Sequence, residues 1–237
     1  MSNGKLVISD GFNMCVKLID QANNVIMHVK LPSDPLSMCN ISLDEVAVTV
    51  SDYKSLNEIH FLRVDARKII TIKHIQLNHL CYGIAHHKGC MFVTSGTSLL
   101  QYTTDGRLVK KLYEDKSSNF SVVGVAVSND GQRIYVTNTD AGRFVTLAMD
   151  GAVKATLRDS AFIHSEIACN IHVAATGHVF VFGSKSICQV ATDGKKILAT
   201  VDEDGCPRSV FVNVHNSKLL VGMFDIDTIT EFKTVIS

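Results

Sequence analysis

Apolar residues in this chain come in short runs of about four to seven, rich in Val, Ile, Phe and Thr, and each run ends at a polar turn. Lys5-Leu-Val-Ile-Ser9, Glu45-Val-Ala-Val-Thr49, Cys90-Met-Phe-Val-Thr94, Arg133-Ile-Tyr-Val-Thr137 and Lys218-Leu-Leu-Val-Gly222 are examples. No window sustains the i, i+3, i+4, i+7 spacing of an amphipathic helix, so the pattern predicts an all-β chain.

The runs repeat. A turn-forming acid recurs as Asp20, Asp65, Asp105, Asp150 and Asp193, at intervals of 45, 40, 45 and 43 residues. Gly follows three of these, at Asp105-Gly106, Asp150-Gly151 and Asp193-Gly194, which is a tight-hairpin signal because Gly accepts positive φ without steric cost. A second marker, a small or turn residue opening an apolar strand, falls at Ser37, Gly83, Gly124, Asn170 and Ser209, at intervals of 46, 41, 46 and 39. Both series average about 43 residues, the size of a four-stranded propeller blade. In the best-formed unit, Gly124–Ser128, Arg133–Thr137, Arg143–Leu147 and Ala152–Arg158 read as inner, second, third and outer strands.

The expectation is one all-β, six-bladed β-propeller over residues 1–237, with blades at about 1–34, 35–79, 80–120, 121–166, 167–206 and 207–237. One period back from Ser37 falls before Met1, and one period on from Asp193 falls at position 236. The first blade is therefore expected to lack its inner strand and the last its outer strand. The missing strand is expected from residues upstream of Met1 in a longer parent, which would seal the exposed edges.

Several segments resemble NHL-repeat propellers: Cys81-Tyr-Gly-Ile-Ala-His86, Val93-Thr-Ser-Gly96, Tyr102-Thr-Thr-Asp-Gly-Arg107, Gly124-Val-Ala-Val-Ser-Asn-Asp-Gly131 and Arg133-Ile-Tyr-Val-Thr-Asn138. More narrowly, they look like the C-terminal regions of tripartite-motif (TRIM-NHL-like) proteins of invertebrates. The similarity is best between residues 81 and 160, and Ser37, Asn170 and Ser209 depart from it where Gly is usual. It implies a propeller that recruits a substrate protein or RNA, attached in complete members to zinc-binding and coiled-coil modules that supply ubiquitin ligase activity and oligomerisation. None of those modules is in this chain, so any ligase chemistry would reside elsewhere.

Charge and cysteine content narrow the classes. Twenty-three basic and 23 acidic residues give a formal net charge of zero, which excludes a polycation that coats nucleic acid. No apolar run approaches the roughly 18 residues needed to span a bilayer, and no membrane partner is expected. The seven cysteines are odd in number, widely spaced and without a C-x-x-C, as in reduced buried thiols of a cytoplasmic protein.

Loops joining second to third strands, and outer strands to the next inner strand, should emerge on one face, at about 10–13, 32–35, 51–57, 76–80, 95–97, 114–120, 138–143, 159–166, 183–185, 202–208 and 224–228. Thirteen acids against five bases give these loops a balance of −8. That disfavours RNA, whose phosphates need Lys and Arg, and Tyr53, Phe120, Phe162 and Phe224 are few aromatics for base stacking. A non-catalytic platform binding a protein ligand through this acidic face is the leading expectation, with Tyr53, Phe120, Asp140, Arg143 and Phe224 as binding residues. An RNA-binding propeller is the alternative, and a calcium-dependent lactonase- or esterase-like propeller is third. The last is weakened because only Asn170, with Asn40 or Glu166, could serve a cation that takes 6–8 oxygens. No cofactor is expected. His86 and His87 lie between Cys81 and Cys90, but adjacent strand residues point to opposite faces and cannot easily share zinc. His172 is read as a satisfied interior histidine that could line the channel.

An open seam between first and last blades carries a kinetic consequence. Amide hydrogen exchange should be fastest near residues 1–20 and 215–237, and slow exchange there would show a closure of another kind.

Overall fold

The structure is a computed structural model that describes residues 6–22, 24–65, 67–164, 171–202, 205–213, 218–223 and 229–233. Those residues hold twenty-two strands in six antiparallel sheets, a six-bladed all-β propeller. The first sheet is three-stranded, with β1 (Leu6–Asp10), β2 (Cys15–Ile19) and β3 (Val25–Lys30). The second holds β4 (Asp34–Asn40), β5 (Glu45–Ser51), β6 (Asn57–Val64) and β7 (Ile69–Gln76). The third holds β8 (Ile84–His87), β9 (Cys90–Thr94), β10 (Ser98–Thr103) and β11 (Leu108–Glu114). In the fourth are β12 (Gly124–Val127), β13 (Arg133–Asn138), β14 (Arg143–Ala148) and β15 (Val153–Arg158). In the fifth are β16 (Ile171–Val173), β17 (Val179–Phe182), β18 (Ser186–Val190) and β19 (Ile197–Asp202). The sixth is three-stranded again, with β20 (Pro207–Asn213), β21 (Lys218–Met223) and β22 (Ile229–Lys233). Among the described residues, the first and last blades thus carry the three strands expected of each.

Ser37 and Ser209 do not open their strands as expected. β4 and β20 begin earlier, at Asp34 and Pro207, and each slips register just before the serine. Pro35 and Pro207 sit at or near the strand heads, where a missing N–H is least disruptive.

The chain divides into two compact units, Met1–Ser95 with Leu100–Lys110, and Gly96–Leu99 with Lys111–Ser237. In the first unit, Val46, Val48 and Val50 of β5 pack with Val16, Leu18, Leu62 and Ile69. Ala47 on the other face of β5 packs with Ile59, Phe61, Cys81, Ile84 and Met91. In the second unit, Tyr135, Phe144, Phe162, Val179 and Val181 form one cluster, and Phe182, Val210, Val212 and Val221 another. Successive strand residues point to opposite faces, so a strand covered on both faces must be apolar at nearly every position. This is why the second strands β5, β9 and β13 are almost wholly buried.

Burial on both faces leaves little room for unsatisfied polar groups. A threonine at one position of the second strand meets this need in three blades. Gly83 N–H donates to Thr94 Oγ1 at 2.7 Å, and Gly124 N–H to Thr137 Oγ1 at 3.1 Å. Thr49 Oγ1 donates to the Tyr82 carbonyl at 2.7 Å, linking blades two and three. Each such bond is worth about 1 kcal/mol, and an orphaned partner costs about 1–3 kcal/mol.

The hairpin turns form as expected. Gly106, Gly151 and Gly194 have φ of 94°, 99° and 73°. Gly151 N–H bonds the Ala148 carbonyl, and Asp150 Oδ1 accepts from Ala152 N–H at 3.0 Å. After the third-to-outer turn, four blades insert one extra residue in the outer strand, at Ile26, Ile72, Lys154 and Leu198. Bulges bend an edge away from further strand pairing.

Gly151 also has a packing constraint, since a Cβ there would fall 2.0 Å from the Leu112 carbonyl oxygen. Gly177 has a similar φ, 89°, but open space around it. Gly177→Ala should therefore cost only backbone strain, about 1 kcal/mol. Gly151→Ala should cost at least about 2 kcal/mol more, because backbone must move. Equal denaturation midpoints for the two variants would rule out the close approach.

Candidate functional site

In the first unit, two loops at the same end of their sheets present large apolar side chains. The β1–β2 loop, residues 11–14, is organised by Asp10. Its carboxylate accepts from Asn13 N–H and Asn13 Nδ2, both at 2.9 Å, and pairs with Lys17. Burial would raise this carboxyl, but the hydrogen bonds from Lys17 and Asn13 outweigh it and hold it below its ordinary value. Lys30 Nζ donates to the Asn13 carbonyl at 2.8 Å and closes the loop from β3. On this frame Phe12 is 72% exposed, and Met14 is exposed with φ of 46°.

The equivalent β5–β6 loop, residues 52–56, is built the same way. Asp52 Oδ1 accepts from the N–H groups of Lys54, Ser55 and Leu56 at 2.8–2.9 Å. Those bonds, Lys54's first, hold the carboxyl below its ordinary value. Tyr53 N–H donates to Ser51 Oγ at 3.0 Å, and Ser51 Oγ donates to Asn57 Oδ1 at 2.8 Å. Tyr53 has φ of 60°, is 42% exposed, and lies 6.4 Å ring to ring from Tyr82. Positive φ is a strained outlier for bulky residues, and such strain gathers at functional sites.

Behind Tyr82, His79 Nδ1 donates to the Leu80 carbonyl at 2.6 Å, so its Nε2 accepts from the Tyr102 hydroxyl at 2.6 Å. Burial lowers the His79 pKa and keeps the ring neutral. Cys81 is fully buried, and burial pushes its thiol up to about 12, which makes it a core side chain rather than a nucleophile. Cys15 and Cys188 are buried too, Cys39, Cys90 and Cys206 are half-buried, and Cys169 lies outside the described residues.

In the second unit the expected binding residues meet a different environment. Arg143 Nη2 bonds Asp115 Oδ2 at 2.8 Å and Ser117 Oγ at 2.6 Å, and Asn138 Nδ2 reaches Ser117 Oγ at 3.3 Å. Burial opposes ionisation of Asp115, but its bonds to Ser117 and the charge of Arg143 prevail and lower its pKa. Arg143 therefore ties the β13–β14 loop to the β11–β12 loop, most of it out of solvent. Phe120 is half-buried on the latter loop, Asp140 is exposed on the former, and Phe224 lies outside the described residues. The structure brings Phe120, Asp140 and Arg143 onto neighbouring loops of one unit and leaves Tyr53 with the other.

One expectation about the face changes. Phe162 is not a face aromatic: it is fully buried, 6.2 Å from Phe144, at the end of a 3-10 turn capped by Asp159. An apolar ring next to a packed blade is driven inward, and capping of the turn by Asp159 allows it. Several face acids also brace their own loops: Asp10, Asp52, Asp115 and Asp159 accept from loop N–H groups, and Glu114 pairs with Lys111 and Lys116. Glu166, Asn170, Glu203, Asp204, Asp225 and Asp227 lie outside the described residues. Phe12 and Met14 were missed by sequence reasoning. The available signal was a large apolar residue between Gly11 and Asn13, where a turn calls for polar ones.

Among the described residues, no three His, Cys, Asp or Glu side chains are grouped to hold a metal ion. His86 Nε2 accepts the Gly89 N–H at 3.2 Å, and burial lowers its pKa. His172 accepts the Val212 N–H through Nε2 at 3.3 Å, joining β16 to β20 beside Phe211.

No family model matches the sequence, and no curated protein matches it. Solved structures do match in fold. A chain of the nidogen–laminin complex superposes with a TM-score of 0.75 at 12% identity, over 97% of this chain and 89% of that one. Virginiamycin B lyase from Staphylococcus aureus superposes with a TM-score of 0.65 at 16% identity, over 100% of this chain and 83% of that one. A protein of unknown function from Bacteroides caccae gives 0.69 at 14% identity, over 92% and 81%. At these identities the likeness shows the six-bladed propeller fold and nothing finer.

His172 supplies a pH test of the inter-blade bond. Burial depresses its pKa from 6.5 to about 4. The unfolded chain therefore binds the proton first, so the contribution is whole above the unfolded value and is lost as pH falls toward 4. The loss should reach about 3 kcal/mol at one pKa unit per 1.36 kcal/mol. Urea unfolding of His172→Gln between these limits should show a shallower pH dependence than the parent; an identical slope would exclude a neutral buried His172.

Proposed function

We propose that this chain is a recognition propeller that binds a protein partner through its loop face, as the substrate-recruiting part of a tripartite-motif-type ubiquitin ligase. The observation that carries the reading is the pair of carboxylate-braced loops presenting Phe12, Met14 and Tyr53 at one end of the first two sheets. Aromatic side chains held in place before binding lose little entropy on association, which is the property of interface hot spots. Asp140 and Phe120 extend the same kind of loop surface in the second unit, while Arg143 acts by holding those loops together. The ligase context rests on the NHL-like resemblance of residues 81–160 and concerns modules outside this chain.

A photo-crosslinking residue placed at Phe12 or Tyr53 should form discrete protein adducts in cells, and one placed at exposed Leu43, in the turn at the opposite end of the second sheet, should not. Alanine at Phe12 and Tyr53 together should weaken affinity for the captured partner at least about thirty-fold, the hot-spot scale. Equal labelling from Leu43, or adducts with RNA alone, would overturn the reading.

A further inference from the structure

A second surface of the first unit lies on its outer strands. β3, β7 and β11 each expose two aliphatic side chains near their first residues: Val25 and Ile26, Ile70 and Ile72, Leu108 and Val109. These are solvent-facing edge positions, where Lys or another charge is the usual occupant. Blade four follows that custom at its bulge with Lys154, whereas blades one, two and five place Ile26, Ile72 and Leu198 there.

Specific contacts set the three strands side by side. Ile69 N–H donates to the Met27 sulfur at 3.4 Å, which sets β3 beside β7. Lys73 Nζ donates to the Thr104 carbonyl at 2.7 Å, and Gly106 lies so near Ile75 that a Cβ would fall 2.7 Å from its Cγ2. The turn leading into β11 therefore leans on β7. Around the aliphatic residues stand Arg67, Lys68, Arg107 and Lys110, all exposed, with Asp20, Asp65 and Asp105 as the acids of the three turns. Asp105 is occupied by Thr103, and its pKa is lowered by that bond first.

We propose that this rim of blades one to three docks on an anionic lipid surface, its aliphatic side chains entering the interface and its bases meeting the headgroups. Charge complementarity and side-chain chemistry both select this occupant. Aliphatic residues amid Lys and Arg are the composition of interfacial membrane binding. A nucleic-acid site would instead offer exposed Phe, Tyr or Trp rings for stacking, and here Phe61 is buried with Lys73 over its face at 4.4 Å. The bulges disfavour the other use of such edges, addition of a partner strand. A hydropathy scan for spanning segments does not register this surface, because its residues come from three separate strands. It is distinct from the loops bearing Phe12 and Tyr53, so either proposal can fail without the other.

The test is co-sedimentation of the full chain with phosphatidylcholine vesicles, with and without phosphatidylserine, at low and at physiological salt. The chain should pellet with the serine-containing vesicles and be released by salt. Lys68→Gln with Lys110→Gln should weaken binding about thirty-fold, at about 1 kcal/mol for each charge near the surface. Ile70→Ser with Leu108→Ser should weaken binding at low salt although every base is kept, with circular dichroism unchanged. A parent chain that stays in the supernatant, or two variants that bind like the parent, would overturn the proposal. So would retention by single-stranded RNA or polyglutamate without retention by vesicles.

Discussion

Each sheet of this protein is too small to stand alone, and the second strands β5, β9 and β13 are almost wholly buried. Val46, Val48 and Val50 look one way from β5 and Ala47 looks the other, and both sides find apolar partners. Burying such side chains is worth about 1.5–3 kcal/mol each. The requirement propagates outward. A two-faced strand has no solvent side on which to place polar groups, so each one it carries needs a partner within the stack. Thr49, Thr94 and Thr137 answer that need at one repeated position, and His172 answers it between β16 and β20.

The polar chemistry of the chain is accordingly concentrated at the sheet ends. Asp10, Asp52, Asp115 and Asp159 are short acceptors beside loop N–H groups, and their depressed or satisfied carboxylates are loop scaffolding. Accepting loop N–H groups leaves a carboxylate charged; Asp10 and Asp115 are in addition paired with Lys17 and Arg143. Beside exposed Asn13, Lys54 and Ser55, the scaffolding leaves Phe12, Met14 and Tyr53 outward on the loops of the first unit. The same unit keeps aliphatic residues on its outer strands, where bulges already prevent edge pairing and charge is not needed for that purpose. Two exposed apolar surfaces on one unit, one largely aromatic on hydrogen-bonded loops and the other aliphatic on outer strands, suit different kinds of partner.

Much of this architecture was legible in advance because it depends on local and periodic features. Continuous apolar runs, Asp-Gly turns at a period of about 43 residues and the absence of helical spacing determine the strands, the hairpins and the blade count. Loop positions followed to within a few residues, since antiparallel strands of known order leave no choice of which end a connection occupies. Tyr53 was legible as an exposed loop aromatic for the same reason. The threonine series could also have been read, at intervals of 45 and 43 residues.

Tertiary structure alone decided which of the face residues look outward. Phe162 and Phe12 are both phenylalanines in loops, yet one fills a cluster with Phe144 and the other is exposed, because only the neighbouring blade supplies or withholds a pocket. Arg143 and Asp140 sit three residues apart, yet Arg143 spans to Asp115, a partner 28 residues away. The side-by-side placing of β3, β7 and β11 likewise depends on contacts such as Lys73 with Thr104. Periodicity specifies a strand and its turn from within a few residues; the partner of an exposed side chain is set by distances between segments remote in sequence, which only the folded chain brings together.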